Sequence, residues 1–201
     1  MAKRMSTRSF NNSAVSDQLL SNVLWAAYGY TPEGKRTIDL FDNSTIIYVC
    51  RQDAAYKYIP ENHSLQLWKA GDYSYVGQSD TAQVKICLVY DDNKATEYPA
   101  MAEIGKVGQN IYLQSISNNL GTVTTGTAAT ECQTALELPQ NEHSKIIMPL
   151  GYPSVPYDFS NVSLPASNLP EVEESGVGLE HALSTLTTET LWSSSPINAQ
   201  E

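Results

Sequence analysis

The segment from Glu97 to Leu120 constrains the fold most, because it carries apolar residues at helical spacing over a length that strands rarely reach. Its apolar stripe consists of Met101, Ile104, Val107, Gly108, Ile111, Tyr112, Leu113 and Ile116. Gly121 follows as the expected terminating residue. Gly105 and Gly108 would each cost about 1 kcal/mol relative to alanine in an exposed helix, which predicts that another backbone approaches them closely. We therefore expect a long central helix that is buried on most sides.

Shorter elements flank this helix. Ser16 is a predicted N-cap of a first helix that ends at Tyr28. Apolar runs between turn residues predict a β-meander and three further strands, at Thr45–Cys50, Ala54–Ile59, Ser64–Lys69, Ala82–Tyr90, Thr122–Thr125 and Lys145–Leu150. A short helix is expected over 128–136. The order predicts an α+β fold, with a central mixed or antiparallel sheet flanked by helices.

The composition changes after Pro153. The remaining chain is rich in Ser, Pro, Asn and Glu and has no Lys or Arg. We expect a domain over 1–153 and an extended C-terminal arm over 154–201, interrupted by one amphipathic helix at 178–186. Residues 192–200 echo residues 10–18, which indicates either the start of a degenerate second copy or a chance similarity of Ser-rich sequence.

The charge of the chain excludes several classes of partner. Its formal net charge is -10 with only 12 Lys and Arg, so it lacks the basic face that nucleic acid or an anionic membrane requires. No apolar run approaches the ~20 residues that span a bilayer. Of the cysteines Cys50, Cys87 and Cys132, the two in predicted strands, Cys50 and Cys87, are expected to be inert core thiols. The odd number and wide spacing of the three are typical of the reducing cytoplasm.

The histidines and the spacing of potential catalytic residues indicate no metal site and no hydrolase active site. His63, His143 and His181 are expected in turns or on helix surfaces, and the spacing indicates neither a metal site nor a serine hydrolase. We assign no catalytic acid, base or nucleophile and no metal ligand.

The basic residues gather near the start of the chain. Lys3, Arg4 and Arg8 surround Ser6, while no cation occurs after Lys145. Two guanidinium groups with a hydroxyl between them, on alternate residues of an extended backbone, can point to one side and hold a phosphate. This pattern predicts a small anionic ligand, the alternative being a solvated basic segment.

At this point the sequence resembles the FMN-dependent nitroreductases, most closely the branch of SagB-type dehydrogenases. Residues 4–10 (RMSTRSF) are similar to the R-x-S-x-R-x-F signature of that family, and 19–29 (LLSNVLWAAYG) to its first long helix. Residues 104–122 (IGKVGQNIYLQSISNNLGT) resemble its G-x-x-x-Q-N helix with an L-G-T exit, and 148–153 (MPLGYP) its last strand. The four motifs occur in the family's order and cover about residues 3–153.

The resemblance implies a nitroreductase-like fold and a flavin site. Arg4, Ser6 and Arg8 would hold the phosphate and ribityl chain of FMN, and a backbone N–H from Thr124, Thr125, Gly126 or Thr127 would meet the flavin ring. The alternative for the latter segment is an ordinary turn. The implied function is an oxidoreductase that takes electrons from NAD(P)H to a nitro, quinone or related acceptor. The implied assembly is a homodimer or fused pseudo-dimer with the site between two subunits.

One segment departs from the family pattern. The family carries a P-S-x-G-x loop before the meander, whereas this chain has TIDLFDNS at 37–44. Asp39 or Asp42 would repel a phosphate unless turned away or offset by Lys35 and Arg36. This favours a second interpretation, a non-catalytic subunit or binding module that has lost productive flavin binding. A third is a protein that binds another phosphate ligand, such as a nucleotide.

Overall fold

The computed structural model describes residues 5–38, 42–77, 81–126 and 129–157 of the 201-residue chain. The predicted helix at 178–186 and the repeat at 192–200 lie outside these residues, as do Arg4, Asp39 and Thr127. Within the described residues the elements are α1 (Asp17–Tyr28), β1 (Thr45–Cys50), β2 (Ala54–Ile59), β3 (Ser64–Ala70), β4 (Val84–Asp91), α2 (Glu97–Ser117), β5 (Gly121–Thr122), α3 (Ala129–Ala135) and β6 (Glu142–Gly151).

The six strands of the described residues form one sheet in the order β3-β2-β1-β4-β6-β5, and every neighbouring pair is antiparallel. The predicted α+β class and the β-meander are therefore confirmed. The predicted cap is confirmed as well, because the Ser16 hydroxyl accepts a hydrogen bond from the Leu19 N–H at the start of α1.

Some predicted boundaries are wrong. The central helix α2 ends at Ser117, and the chain turns at Asn119, whose φ of 56° is left-handed. Gly121 does not terminate the helix but opens β5. Strand β6 begins at Glu142, so His143 lies in a strand and not in a turn.

The sheet separates two apolar clusters. Helices α1 and α2 cover one face through residues such as Leu24, Ile104 and Ile111. On the other face Tyr48, Cys87 and Leu136 pack together, and α3 contributes Cys132. The predicted placement of Cys50 and Cys87 in the core is confirmed, and Cys132 is buried as well. Thiol contacts with Cys132 and Cys50, together with burial, raise the pKa of Cys87, which keeps that thiol protonated.

The central helix is buried on one side only. Ala100, Ile104, Val107 and Ile111 face the sheet, whereas Met101 and Leu113 are 36% and 39% exposed. A Cβ on Gly105 would meet no atom of the described residues within 4 Å. The expected close approach of a backbone at Gly105 is therefore wrong within the single chain, and α2 has an open face.

Strands β1 and β2 diverge toward one end of the sheet. Their pairing runs from Cys50 to Tyr48, where Tyr48 lies opposite Lys57. Beyond Lys57, β2 continues to pair with β3 as far as Ile59. The divergence leaves a cavity of about 420 Å³, which we call the β1–β2 cleft. Its cationic lining residues are Arg36, Lys57 and Lys94.

Candidate functional site

The N-terminal segment lies extended along the β5–β6 edge of the sheet. The Thr7 N–H donates to the Thr122 carbonyl at 2.9 Å, and the Asn11 N–H donates to the Tyr152 carbonyl at 2.9 Å. Thr7 and Phe10 point into the protein, whereas Ser6 is half-buried and Arg8 is exposed. The strand therefore presents Ser6 and Arg8 away from the core side chain of Thr7, as an alternating extended backbone requires.

This docking depends on Gly121. A Cβ at that position would lie 2.6 Å from the Thr7 side chain, closer than real Cβ contacts allow. The glycine of the L-G-T exit thus lets the N-terminal strand lie against β5. Sequence reasoning assigned this residue to helix termination and missed the contact, because Thr7 and Gly121 are far apart along the chain.

A tyrosine of α2 joins the two predicted halves of the site. The Thr124 N–H donates to the Tyr112 hydroxyl at 2.8 Å, and the Ser6 hydroxyl lies 3.4 Å from the same oxygen. Tyr112 is 8% exposed. The sequence indicated Tyr112 only as a member of the apolar stripe. The signal that could have found it is its hydroxyl, since a phenol on a buried face usually has a polar partner.

The segment expected to meet the flavin ring keeps one backbone donor available. The Thr124 N–H is bonded to Tyr112, and Thr125 exchanges backbone hydrogen bonds with Ile147 at 3.0 and 2.9 Å. The Gly126 N–H donates to no atom of the described residues, and Gly126 is exposed. Of the predicted residues that the structure describes here, Gly126 is the one whose N–H can serve a ligand.

The described residues just before β4 contact the N-terminal segment, a contact that the sequence did not indicate. The Thr81 hydroxyl accepts a hydrogen bond from the Phe10 N–H at 3.2 Å. Lys85 is 1% exposed, and its ammonium donates to the carbonyls of Ser74 and Ala82, at 2.7 Å each. A buried lysine with such partners holds the loop against the sheet. The available signal was a lysine in an otherwise apolar strand.

The second group of early cations is not part of this site. Arg36 lies between the rings of Tyr28 and Tyr30, at 4.3 and 4.1 Å from their centroids. Its guanidinium donates to the Tyr28 carbonyl at 2.9 Å and pairs with Glu61 at 3.5 Å. Arg36 therefore already has a carboxylate partner in Glu61.

No metal centre or membrane-spanning element is found in the part of the chain that the structure describes. Its His, Cys, Asp and Glu residues form no group of three or more that could hold a metal ion. Its helices are too short or too polar to cross a bilayer.

Comparison with known proteins tests the predicted family. A sequence profile of the nitroreductase family matches residues 1–152. The chain belongs to the nitroreductase family. Members of this family are typically flavin oxidoreductases, so the predicted family and the broad class of activity agree with the match.

Individual relatives support the assignment. A nitroreductase-like protein of Methanocaldococcus jannaschii is 29% identical over 177 residues, which cover 75% of this chain and 88% of the relative. The crystal structure of a nitroreductase-like protein from Ralstonia eutropha superposes with a TM-score of 0.69 at 27% identity, covering 76% of this chain and 80% of that one. A Desulfovibrio desulfuricans structure in complex with FMN shares the fold, with a TM-score of 0.57 at 19% identity and coverages of 84% and 94%.

Proposed function

We propose that the protein is an FMN-dependent oxidoreductase that takes electrons from NAD(P)H to a nitro, quinone or related acceptor, in the branch of the SagB-type dehydrogenases and in the cytoplasm. The observation that carries the proposal is the junction at Tyr112, which brings Ser6 of the phosphate-type motif beside the segment that ends at Gly126. The cytoplasmic setting is supported by three free buried thiols.

The described residues fit the phosphorylated end of a flavin. Arg8 is exposed, and among the described residues it has no carboxylate partner, so its charge is available to an anion. Ser6 adds a half-buried hydroxyl on the same strand. A local cationic group is needed here, because the chain as a whole carries a formal charge of -10 and repels anions.

The segment that would meet the flavin ring also fits this ligand. Gly126 is exposed, and among the described residues a Cβ there would contact only the Lys145 carbonyl oxygen, at 3.8 Å. A residue without a side chain lets its N–H approach a planar ring closely. FMN, when bound, would supply the hydride and electron chemistry, so the protein needs to bind, orient and shield it and needs no acid or base of its own.

We further propose that the protein acts as a homodimer, or as one half of a pseudo-dimer, through the open face of α2. That face exposes Met101, Leu113 and Tyr98 and holds Gly105, where an added Cβ would meet nothing within 4 Å in the part of the chain that the structure describes. The resemblance to the family implies a flavin site between two subunits, which is consistent with this assembly. Leu113→Glu should give a monomer by light scattering and weaken FMN binding, whereas a dimer that survives the change would contradict this assembly.

The deciding experiment replaces Arg8. The wild-type protein should purify yellow or take up FMN, and Arg8→Ala should weaken FMN binding by about tenfold or more, the loss of one charge-assisted phosphate contact. Lys35→Ala is the matched control, since Lys35 is an exposed cation of the same early group that lies outside the site. Equal FMN affinity of wild type and Arg8→Ala, measured by fluorescence quenching, would refute the proposed site.

The second candidate is a non-catalytic family member. It is favoured by the acidic residues of the 37–44 loop together with the engagement of Arg36 by Glu61. Colourless protein that cannot be reconstituted with FMN would support this candidate. Reconstituted protein that oxidises NADH or NADPH in the presence of a quinone would support the enzyme. A thermal-shift comparison of FMN with ATP separates both from a nucleotide-binding protein.

A further inference from the structure

The chain that follows β6 runs back along the N-terminal segment, and we call its residues 152–157 the strap. The Asn11 N–H donates to the Tyr152 carbonyl at 2.9 Å, and the Ser154 N–H donates to the Ser9 carbonyl at 2.9 Å. An antiparallel bridge lies between these two bonds. The strap is therefore paired with the N-terminal segment through directed backbone hydrogen bonds, in the manner of neighbouring antiparallel strands.

Side chains extend this pairing. The hydroxyl oxygens of Ser9 and Ser154 lie 2.9 Å apart at the surface. Those of Thr7 and Tyr157 lie 2.8 Å apart, and Thr7 is only 7% exposed. Because Thr7 also donates its N–H to the Thr122 carbonyl, it is held by β5 through its backbone and by the strap through its side chain.

These contacts surround the exposed cation of the candidate site. Arg8 lies directly between Thr7 and Ser9, and the strap contacts both of these neighbours. A backbone that is fixed on both sides of Arg8 sets where its side chain starts before a ligand arrives. Such preorganisation lowers the entropy that binding must cost, since less of the chain has to be ordered by the ligand.

We propose that the strap is a positioning element, which holds the N-terminal segment so that Arg8 and Ser6 are in place to bind an anionic phosphate. This inference rests on the proposed function, in which the phosphate is that of FMN. The family profile ends at residue 152, so the family match does not cover the rest of the strap. Its effect should be confined to the phosphate end of the flavin, because the strap contacts residues 7–11, whereas residues 124–125 are held by Tyr112 and Ile147.

The experiment compares FMN with riboflavin, which has the same ring and ribityl chain but no phosphate. Ser154→Pro removes the N–H that donates to the Ser9 carbonyl, because proline has no amide hydrogen. We expect it to weaken FMN binding by about three- to tenfold, the cost of ordering a long side chain on binding, and to leave riboflavin binding unchanged. Unchanged FMN binding, or an equal loss for both ligands, would overturn the proposal.

Ser154→Ala is the matched control, since it keeps the N–H and removes only an exposed hydroxyl. It should bind FMN as the wild type does, and a loss as large as that of Ser154→Pro would contradict a role of the backbone bond. If Ser154→Pro does not fold, Tyr157→Phe tests the strap through its contact with Thr7. We expect a loss of about two- to tenfold for FMN alone, the effect of one hydrogen bond. A loss that riboflavin shares, or no loss, would refute the proposal.

Hydrogen exchange separates the strap from the proposed function. Amides of residues 7–11 should exchange at least about tenfold faster in Ser154→Pro than in wild type, and at the wild-type rate in Ser154→Ala. Unchanged exchange in Ser154→Pro would show that the strap does not hold this segment, which ends the inference. If the wild type binds neither flavin, the proposed function fails, and inorganic phosphate becomes the probe. Thermal stabilisation by phosphate that is larger in wild type than in Ser154→Pro would then sustain the inference, and equal stabilisation or none would end it.

Discussion

The candidate flavin site and the β1–β2 cleft both receive a cation from the basic early part of the chain, but they use it in opposite ways. In the site, Arg8 is exposed and Ser6 lies beside it on an extended strand. In the cleft, Arg36 is 12% exposed and is held between two tyrosine rings, a carbonyl and Glu61. In the first arrangement the positive charge is available to a ligand, and in the second it stabilises the fold.

The same contrast extends to the other charged residues of the cleft. Lys57 pairs with Glu142 at 3.0 Å, and Tyr48 donates to the same carboxylate at 2.6 Å. Two of the three cations that line the cleft, Arg36 and Lys57, are therefore already paired with carboxylates. The comparison teaches that availability of charge, and not its amount, distinguishes a binding region from a structural one. The following changes test that distinction, beginning with the largest expected effect.

Glu142→Ala should be the most destabilising change. Glu142 is 6% exposed, and its removal leaves the Tyr48 hydroxyl and the Lys57 ammonium without their acceptor. We expect a loss of about 3 kcal/mol in the free energy of unfolding, measured with urea, and an unchanged affinity for FMN. Glu97→Ala is the control, because Glu97 also pairs with a lysine, Lys145, but is solvent-exposed and should give little change. A large loss of FMN affinity in Glu142→Ala would break the comparison.

Arg36→Ala and Arg8→Ala should have opposite consequences. Arg36→Ala removes two ring contacts and a carbonyl hydrogen bond, so we expect about 2 kcal/mol less stability with normal FMN binding. Arg8→Ala should leave the urea midpoint within error while FMN binding falls. The distinction between the two regions would be wrong if both variants changed the same property.

Gly121→Ala tests the docking of the N-terminal strand. The added Cβ would meet the Thr7 side chain at 2.6 Å, so the strand must shift away from β5. We expect a loss of about 1–2 kcal/mol in stability and weaker FMN binding, because Ser6 and Arg8 move with the strand. Gly105→Ala is the matched control for the added methyl group, with no atom within 4 Å, and should gain up to about 1 kcal/mol in the isolated chain. A loss of dimer in that control would show that a second copy packs against Gly105.

The smallest expected effect is on stability at alkaline pH, and it tests how well the cleft excludes water. Burial raises the pKa of Tyr58 from its ordinary 10.0 to about 12. Because the unfolded chain releases this proton at lower pH than the folded chain, the contribution of Tyr58 to stability is complete below pH 10 and is lost as the pH rises toward 12. Tyr58→Phe should reduce the slope of stability against pH in that window. An unchanged slope would indicate that the cleft is more hydrated than its lining implies.

Much of the fold could be predicted from local signals. The Ser16 cap, the three strands of the meander and the length of α2 to within a few residues follow from turn residues and periodicity, which act between near neighbours. Predicted boundaries were wrong where more than one residue could satisfy the same local rule. Gly121 looked like a helix terminator, but Asn119 takes the left-handed conformation and releases Gly121 for β5.

The sequence by itself determined the family and the order of elements. Only the tertiary structure decided that the Tyr112 hydroxyl contacts both Ser6 and Thr124. It also decided that Arg36 is bound by residues of the fold while Arg8 is exposed, and that one face of α2 is exposed. The physical reason is distance along the chain. Ser6 and Tyr112 are 106 residues apart. A contact over such a distance produces no periodic pattern of residues in either segment, so the sequence does not reveal it.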